Sequence, residues 1–260
     1  VVLLHGLLGS GRNLAALARR WSQLDPALRL VALDLTGHGT SPPLPPGADL
    51  VTLARDVVAT LESLELPLPV RVVGHSLGGR VALKARALRP DAIDLVDLLD
   101  IAPGPVVLEG AESKVAMSHL LEAPAELPSR EAARQWLIAR SQRADGSVQD
   151  GRLTLPLIEW LLMNLVNEGG VYRWRVARGA LAELHDRVLG EDLWPTLAPR
   201  VAPHTRCVRG GLSRYVSSQD VQRFAAVGAP PVATLPEAGH FVHVDALEPL
   251  LQWLGAPPPR

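Results

Sequence analysis

A chain of 260 residues, 47% of them hydrophobic, can build one large core, or one core with an inserted subdomain, without needing two independent domains. Its 26 Lys and Arg nearly cancel 27 Asp and Glu, with no long run of either sign, which argues against nucleic acid or an anionic membrane and for a small or apolar partner. One cysteine, Cys207, excludes an internal disulfide and a thiolate metal cluster, and no apolar run reaches the roughly 20 residues of a membrane span.

The chain opens at Val1 in an apolar run, with no initiator Met, basic segment or secretion-signal core, so the cytoplasm is the default location unless upstream residues are missing. Residues 1–4 read as a strand buried on both faces, bounded by His5-Gly6. After the loop 5–11, Asn13 is placed to cap a helix with Leu14, Leu17, Ala18 and Trp21 on one face. Residues 30–35 predict a second strand, running into the turn D-L-T-G-H-G. A Pro-rich loop (Pro42, Pro43, Pro45, Pro46) then leads to an amphipathic helix carrying Leu53, Val57, Leu61 and Leu64. A third strand, 70–73, runs through Gly74-His75-Ser76-Leu77-Gly78 into a helix that Pro90 stops, and 95–101 is the fourth. Strands and helices alternating in this way predict an α/β fold with a mostly parallel sheet and flanking helices.

Between about 106 and 200 the alternation gives way to helical patterns over 113–121, 129–143, 157–167 and 171–188, the pattern of an inserted helical cap. Strands return at 205–208 and 231–235, with a helix over 218–227 between them and a terminal helix over 247–254. The expected organisation is a core of 1–105 and 201–260 with 106–200 as the cap. Open α/β sheets bind ligands outside the carboxyl ends of their strands, and His5, Ser76, Asp100 and His240 all fall at such ends.

Ser76 sits in a G-x-S-x-G sequence between a strand and a helix. A turn sharp enough to lift it clear of the sheet leaves no room two residues to either side, and Gly74 and Gly78 have no Cβ to collide. The Ser76 hydroxyl is expected to point into solvent, with the Leu77 N–H opening the positive end of a helix beside it.

The chain resembles the α/β hydrolases along nearly its whole length, from H-G-L-L-G-S through G-H-S-L-G-G to E-A-G-H-F-V-H. More narrowly it is similar to the YbfF-type esterases, on H-G-L-L-G-S-G-R-N, D-L-T-G-H-G-T-S-P, L-D-I-A-P, Trp174-Arg175 and R-G-G-L-S-R-Y-V. The resemblance implies that Ser76 is a nucleophile and His240 its general base, with His243 second among eight histidines. Many α/β hydrolases place the triad acid in a G-x-x-D pattern, but here Gly210-Gly211-Leu212-Ser213 ends in serine. Asp100, the position YbfF-type esterases use, is the expected acid and Asp220 the alternative; Asp97 lies too near mid-strand. The oxyanion hole implied is the N–H of Leu7 with that of Leu77.

The expected activity is a serine carboxylesterase that needs no cofactor or metal and hydrolyses small-molecule esters through an acyl-enzyme. Thioesterase, C–C bond hydrolase and cofactor-free perhydrolase are alternatives on the same triad, and a ligand-binding receptor is the non-enzyme alternative. The cap holds Trp136, Trp160, Trp174 and Trp194, suited to an apolar cleft or simply to the cap's own core. Arg173 and Arg175 could meet a substrate carboxylate or form cap salt bridges. Two strands with which this fold usually begins are not seen, so six remain, and a homodimer could form through the free sheet edge.

Overall fold

A strand buried on both faces must be apolar at every position, and β1 (Val2–Leu4), wholly buried, meets that condition. The computed structural model describes residues 1–106, 112–141, 155–175, 177–197 and 201–255. From β1 the chain continues through α1 (Ala15–Leu24), β2 (Val31–Leu33), α2 (Leu50–Ser63), β3 (Val70–His75), α3 (Leu77–Leu88) and β4 (Ile93–Leu99). Next come α4 (Glu112–Glu122), β5 (Glu126–Leu127), α5 (Arg130–Ser141), α6 (Leu155–Leu162), β6 (Leu165–Glu168), β7 (Val171–Trp174) and α7 (Arg178–Gly190). The last elements are β8 (Thr205–Gly210), α8 (Ser218–Ala226), β9 (Ala233–Leu235), α9 (Val242–Asp245) and α10 (Leu247–Gly255).

Six strands pair in parallel in the order β2-β1-β3-β4-β8-β9. Successive side chains face opposite layers, and the core divides accordingly. Val2, Leu4, Val72, Val96 and Leu98 pack with Leu53, Val57 and Leu61 of α2 and Val81 of α3, in a cluster that continues into the 106–200 region. Leu3, Val73, Leu99 and Val208 face the other way, against Leu17 and Trp21 of α1 and Leu250, Leu251 and Leu254 of α10. Cys207 is a buried free thiol within β8.

Strand register sets where the polar residues leave the sheet. Leu4 lies beside Gly74, Gly74 beside Leu98 and Leu98 beside Cys207, so the carboxyl ends of β1, β3, β4 and β8 are level. His5, Ser76 and Asp100 therefore emerge at one end. Asp97, deeper in β4, is wholly buried and paired with Arg71 (2.5 Å) and Arg206 (2.7 Å), which keeps it in the sheet's interior.

Three local expectations are corrected. Leu64 is the C-cap of α2 and is exposed, because the helix ends before its stripe reaches that far. Asn13 does not cap α1 from outside: Ser10 is the N-cap of a short 3-10 turn (Gly11–Leu14), and the Asn13 carboxamide oxygen accepts from the Ser10 N–H at 2.8 Å. Of the expected helices over 157–167 and 171–188, 157–162 and 178–188 are helical, in α6 and α7, but between them stands a β-hairpin, β6 and β7, turning at Gly169 (φ 63°) and Gly170 (φ 91°). Two consecutive positive-φ glycines fit the tight turn that matches strand twist, so the pair reads as a hairpin loop and not merely as a helix break. β5 joins this hairpin in a three-stranded antiparallel sheet, β5-β7-β6, and the inserted region is thus mixed, not purely helical. No helix among the described residues is long and apolar enough to cross a membrane.

Candidate active site

Ser76 occupies the turn between β3 and α3 with φ 52° and ψ −117°, a backbone conformation that L-residues rarely adopt. The flanking glycines are required there. A Cβ on Gly74 would stand 2.4 Å from the Gly78 carbonyl, and one on Gly78 would stand 2.4 Å from the Leu4 carbonyl oxygen. The Ser76 N–H donates to the Leu99 carbonyl at 3.2 Å, tying the turn to the neighbouring strand.

The side chain does not stand in open solvent as the sequence predicts. Ser76 is 8% exposed, because Leu157, Trp160 and Leu161 of α6 and Ala116 of α4 close over it. With Leu7, His75, His240 and Phe241 they enclose a narrow cavity of about 30 Å³. A groove of about 990 Å³ lies elsewhere, between the β2 edge and α2, lined by residues such as Ala32, Leu33, Leu53 and Val57; none of Ser76, Asp100 and His240 lines it.

Asp100 follows β4 in a left-handed conformation (φ 51°) and is fully buried. Its Oδ2 accepts from His240 Nδ1 at 2.8 Å, and its Oδ1 accepts from the Gly210 N–H at 2.8 Å. The Ser213 hydroxyl also donates to Oδ2. Ser213, at the end of the G-G-L-S run, thus holds the same carboxylate oxygen that faces His240. Asp220 is not brought to His240: it lies in the first turn of α8, accepting from the Ser217 N–H (2.9 Å) and hydroxyl (2.6 Å) as half of a capping box.

His240 lies between β9 and α9 and is 6% exposed. With Nδ1–H given to Asp100, its Nε2 is left as a proton acceptor. Its backbone carbonyl accepts from His75 Nε2 at 3.0 Å, a strap between the serine turn and the histidine loop. The Tyr215 ring stacks on the imidazole at 3.8 Å between centroids and 16° between planes. Tyr215 and Ser213 carry no sequence signal beyond their place in R-G-G-L-S-R-Y-V.

Four other histidines, His5, His38, His75 and His243, are buried around the site. His5 accepts from the Leu35 N–H through Nε2 (3.0 Å) and donates from Nδ1 to the Gly6 carbonyl (2.8 Å), so both ring nitrogens are committed. Burial pushes His5 down to about 4. Burial, then repulsion from neighbouring histidines, pushes His38 and His243 to about 3 and His75 well below 6.5. His243 lies 4.6 Å from His75 between ring centroids and is paired with no carboxylate among the described residues, which removes it as a competitor of His240.

Leu77 is the first residue of α3, where N–H groups have no intrahelical partner, and Leu7 lines the cavity. The loop bearing Leu7 is held from two sides. Gly9 N–H donates to the Gly6 carbonyl at 3.0 Å, and Asn164, between α6 and β6, donates its carboxamide to the Leu8 carbonyl. Arg173 of β7 is taken up by Glu126 of β5 and Glu168 of β6, so its charge is paired within the small antiparallel sheet. No cluster of three or more metal-ligating side chains is found among the described residues.

A family model described as the alpha/beta hydrolase family matches residues 1–253. The chain is 30% identical over 249 residues to the mouse (Mus musculus) sn-1-specific diacylglycerol lipase ABHD11, covering 94% of this chain and 76% of that protein. It is 29% identical over 257 residues to esterase YbfF of Escherichia coli K12, covering 97% and 90%. A solved structure described as a marine microorganism esterase superposes with a TM-score of 0.80 at 23% identity, covering 97% of this chain and 92% of that one. By motif order, sheet topology and the match to the family model, the chain belongs to the alpha/beta hydrolase family.

Proposed function

We propose that this protein is a serine carboxylesterase in which Ser76 is the nucleophile, His240 the general base and acid, and Asp100 the carboxylate that orients it. Ester hydrolysis as the broad activity is supported by relatives that are esterases and lipases over most of their length. One observation carries the finer reading: His240 gives Nδ1–H to Asp100 at 2.8 Å while its ring and Ser76 line the same cavity.

The chemistry follows from that arrangement. A serine hydroxyl is a poor nucleophile until an imidazole takes its proton, and Asp100 keeps the free lone pair on Nε2, where it can do so. Ser76 Oγ bonds to the ester carbonyl carbon as its proton passes to His240, and the carbonyl oxygen takes the negative charge. The N–H groups of Leu7 and Leu77 are the donors assigned to that charge; one such donor is worth about 2.7–4 kcal/mol of barrier. The intermediate collapses with His240 returning the proton to the departing alcohol, which leaves an acyl-enzyme. Water, deprotonated by His240, then releases the acid and restores Ser76.

Residues 106–200 act as the cap, with the described part of α6 forming an apolar wall that excludes water from the acyl-enzyme. The apolar side chains that line the cavity beside Ser76, among them Leu157, Trp160, Leu161 and Phe241, suit the acyl part of a small to medium ester.

Fluorophosphonate labelling tests the assignment. The wild type is expected to gain one adduct on the peptide containing Ser76, and Ser76→Ala none. A protein that resists the probe while binding ester ligands would be a receptor.

A further inference from the structure

We infer that Tyr215 is a positioning residue for His240, its ring face fixing the imidazole plane and favouring the imidazolium that forms during the reaction. The inference rests on His240 being the general base.

The loop after β8 supplies two contacts to the site at once. The Ser213 hydroxyl reaches Asp100, and the Tyr215 N–H donates to that same hydroxyl oxygen at 3.2 Å. Tyr215 is 7% exposed, and its ring lies nearly parallel to the imidazole, 16° apart at 3.8 Å. A single hydrogen bond from Nδ1 to Asp100 fixes one atom of the imidazole and tolerates tilting of the rest. A flat ring against its face removes most of that tilt, and Nε2 is then aimed consistently.

The second effect concerns charge. An aromatic face carries partial negative charge and attracts a cation, more strongly where water is excluded. Around His240 stand Asp100 at the end of β4, His75 at the end of β3, His243 in α9 and Tyr215 itself. Burial keeps His75 and His243 neutral, so neither adds a positive charge that would oppose the imidazolium. The ring of Tyr215 therefore acts alongside Asp100. Since the resting imidazole is neutral, the added attraction appears only once the Ser76 proton has moved, and it belongs to kcat and not to KM.

Steady-state hydrolysis of p-nitrophenyl butyrate by wild type, Tyr215→Phe, Tyr215→Leu and Tyr215→Met, beside Ser76→Ala, tests this. We expect Leu and Met to lower kcat roughly tenfold with KM within about twofold, and to move the acidic limb of kcat/KM to lower pH. Phe, which keeps the ring face, is expected to restore kcat and the limb to near wild type. Equal losses in Phe and Leu would assign the effect to the hydroxyl and overturn the inference, as would unchanged kcat in every folded non-aromatic variant or a change confined to KM. If Ser76→Ala retained the rate, the general-base reading would itself have failed; an inactive Ser76→Ala beside an unimpaired Tyr215→Leu would sink the role of Tyr215 alone.

Discussion

Asp100 has both carboxylate oxygens engaged, Oδ1 by the Gly210 N–H and Oδ2 by His240 and Ser213. Held this way it can only accept, which fixes the proton on His240 Nδ1; an amide in its place would favour the wrong tautomer. Asp100→Asn is expected to lower kcat by about 10³- to 10⁴-fold in steady-state ester hydrolysis. Asp220→Asn, which keeps a capping side chain on α8, is expected to leave kcat within about twofold. The opposite ranking would move the acid to Asp220. The places of Ser76 and His240 in the fold were legible because each carries a local signature, a glycine-flanked turn and a loop after the last strand. Asp100 was preferred to Asp220 only through the resemblance and not from any local signature, because the carboxylate that meets His240 lies 140 residues away and is set by strand register. For Ser213 the sequence showed only a missing acid, and no pattern marks a ring such as Tyr215 that stacks on a distant imidazole.

Trp160 ties α6 to the candidate site. Its ring lies 5.7 Å from that of His75 and 5.0 Å from that of Phe241, and a Cβ on Gly9 would come within 2.7 Å of it. On the proposed acyl-enzyme route Trp160, the largest side chain lining the cavity beside Ser76, faces the acyl group, so Trp160→Leu is expected to raise the ratio of octanoate to acetate kcat/KM roughly tenfold. An unchanged ratio would place the acyl group elsewhere. The core elements were readable because parallel strands buried on both faces are continuous apolar runs and their crossover helices carry broad stripes. The β6–β7 hairpin was not, because each strand is only four residues long and mostly half-buried, too short to establish an alternation of period two.

The carboxyl ends of the sheet gather further histidines beside Ser76, Asp100 and His240, and burial keeps them neutral. His5, His38 and His243 are fully buried, with burial lowering them from 6.5 to about 4, 3 and 3. In the unfolded chain each takes a proton below about pH 6.5, whereas in the folded protein it does so only near its depressed value. Their contribution is therefore fully present above pH 6.5 and is lost as pH falls toward 4 and then 3. Each costs about 1.4 kcal/mol of stability per pH unit in that window. Urea unfolding at pH 7 and pH 5 is expected to show a clearly lower midpoint at pH 5, and equal midpoints would mean that these rings are accessible to protons in the folded state.

Hydrolysis of p-nitrophenyl esters from acetate to palmitate, by the wild type beside Ser76→Ala, tests the central claim most directly. Turnover by the wild type on the shorter esters, reduced by roughly 10⁵- to 10⁶-fold in Ser76→Ala, is the predicted result. Equal rates in the two proteins would contradict the account, since the ester would then be cleaved without the serine that the sheet, the elbow and the His240–Asp100 pair hold in place.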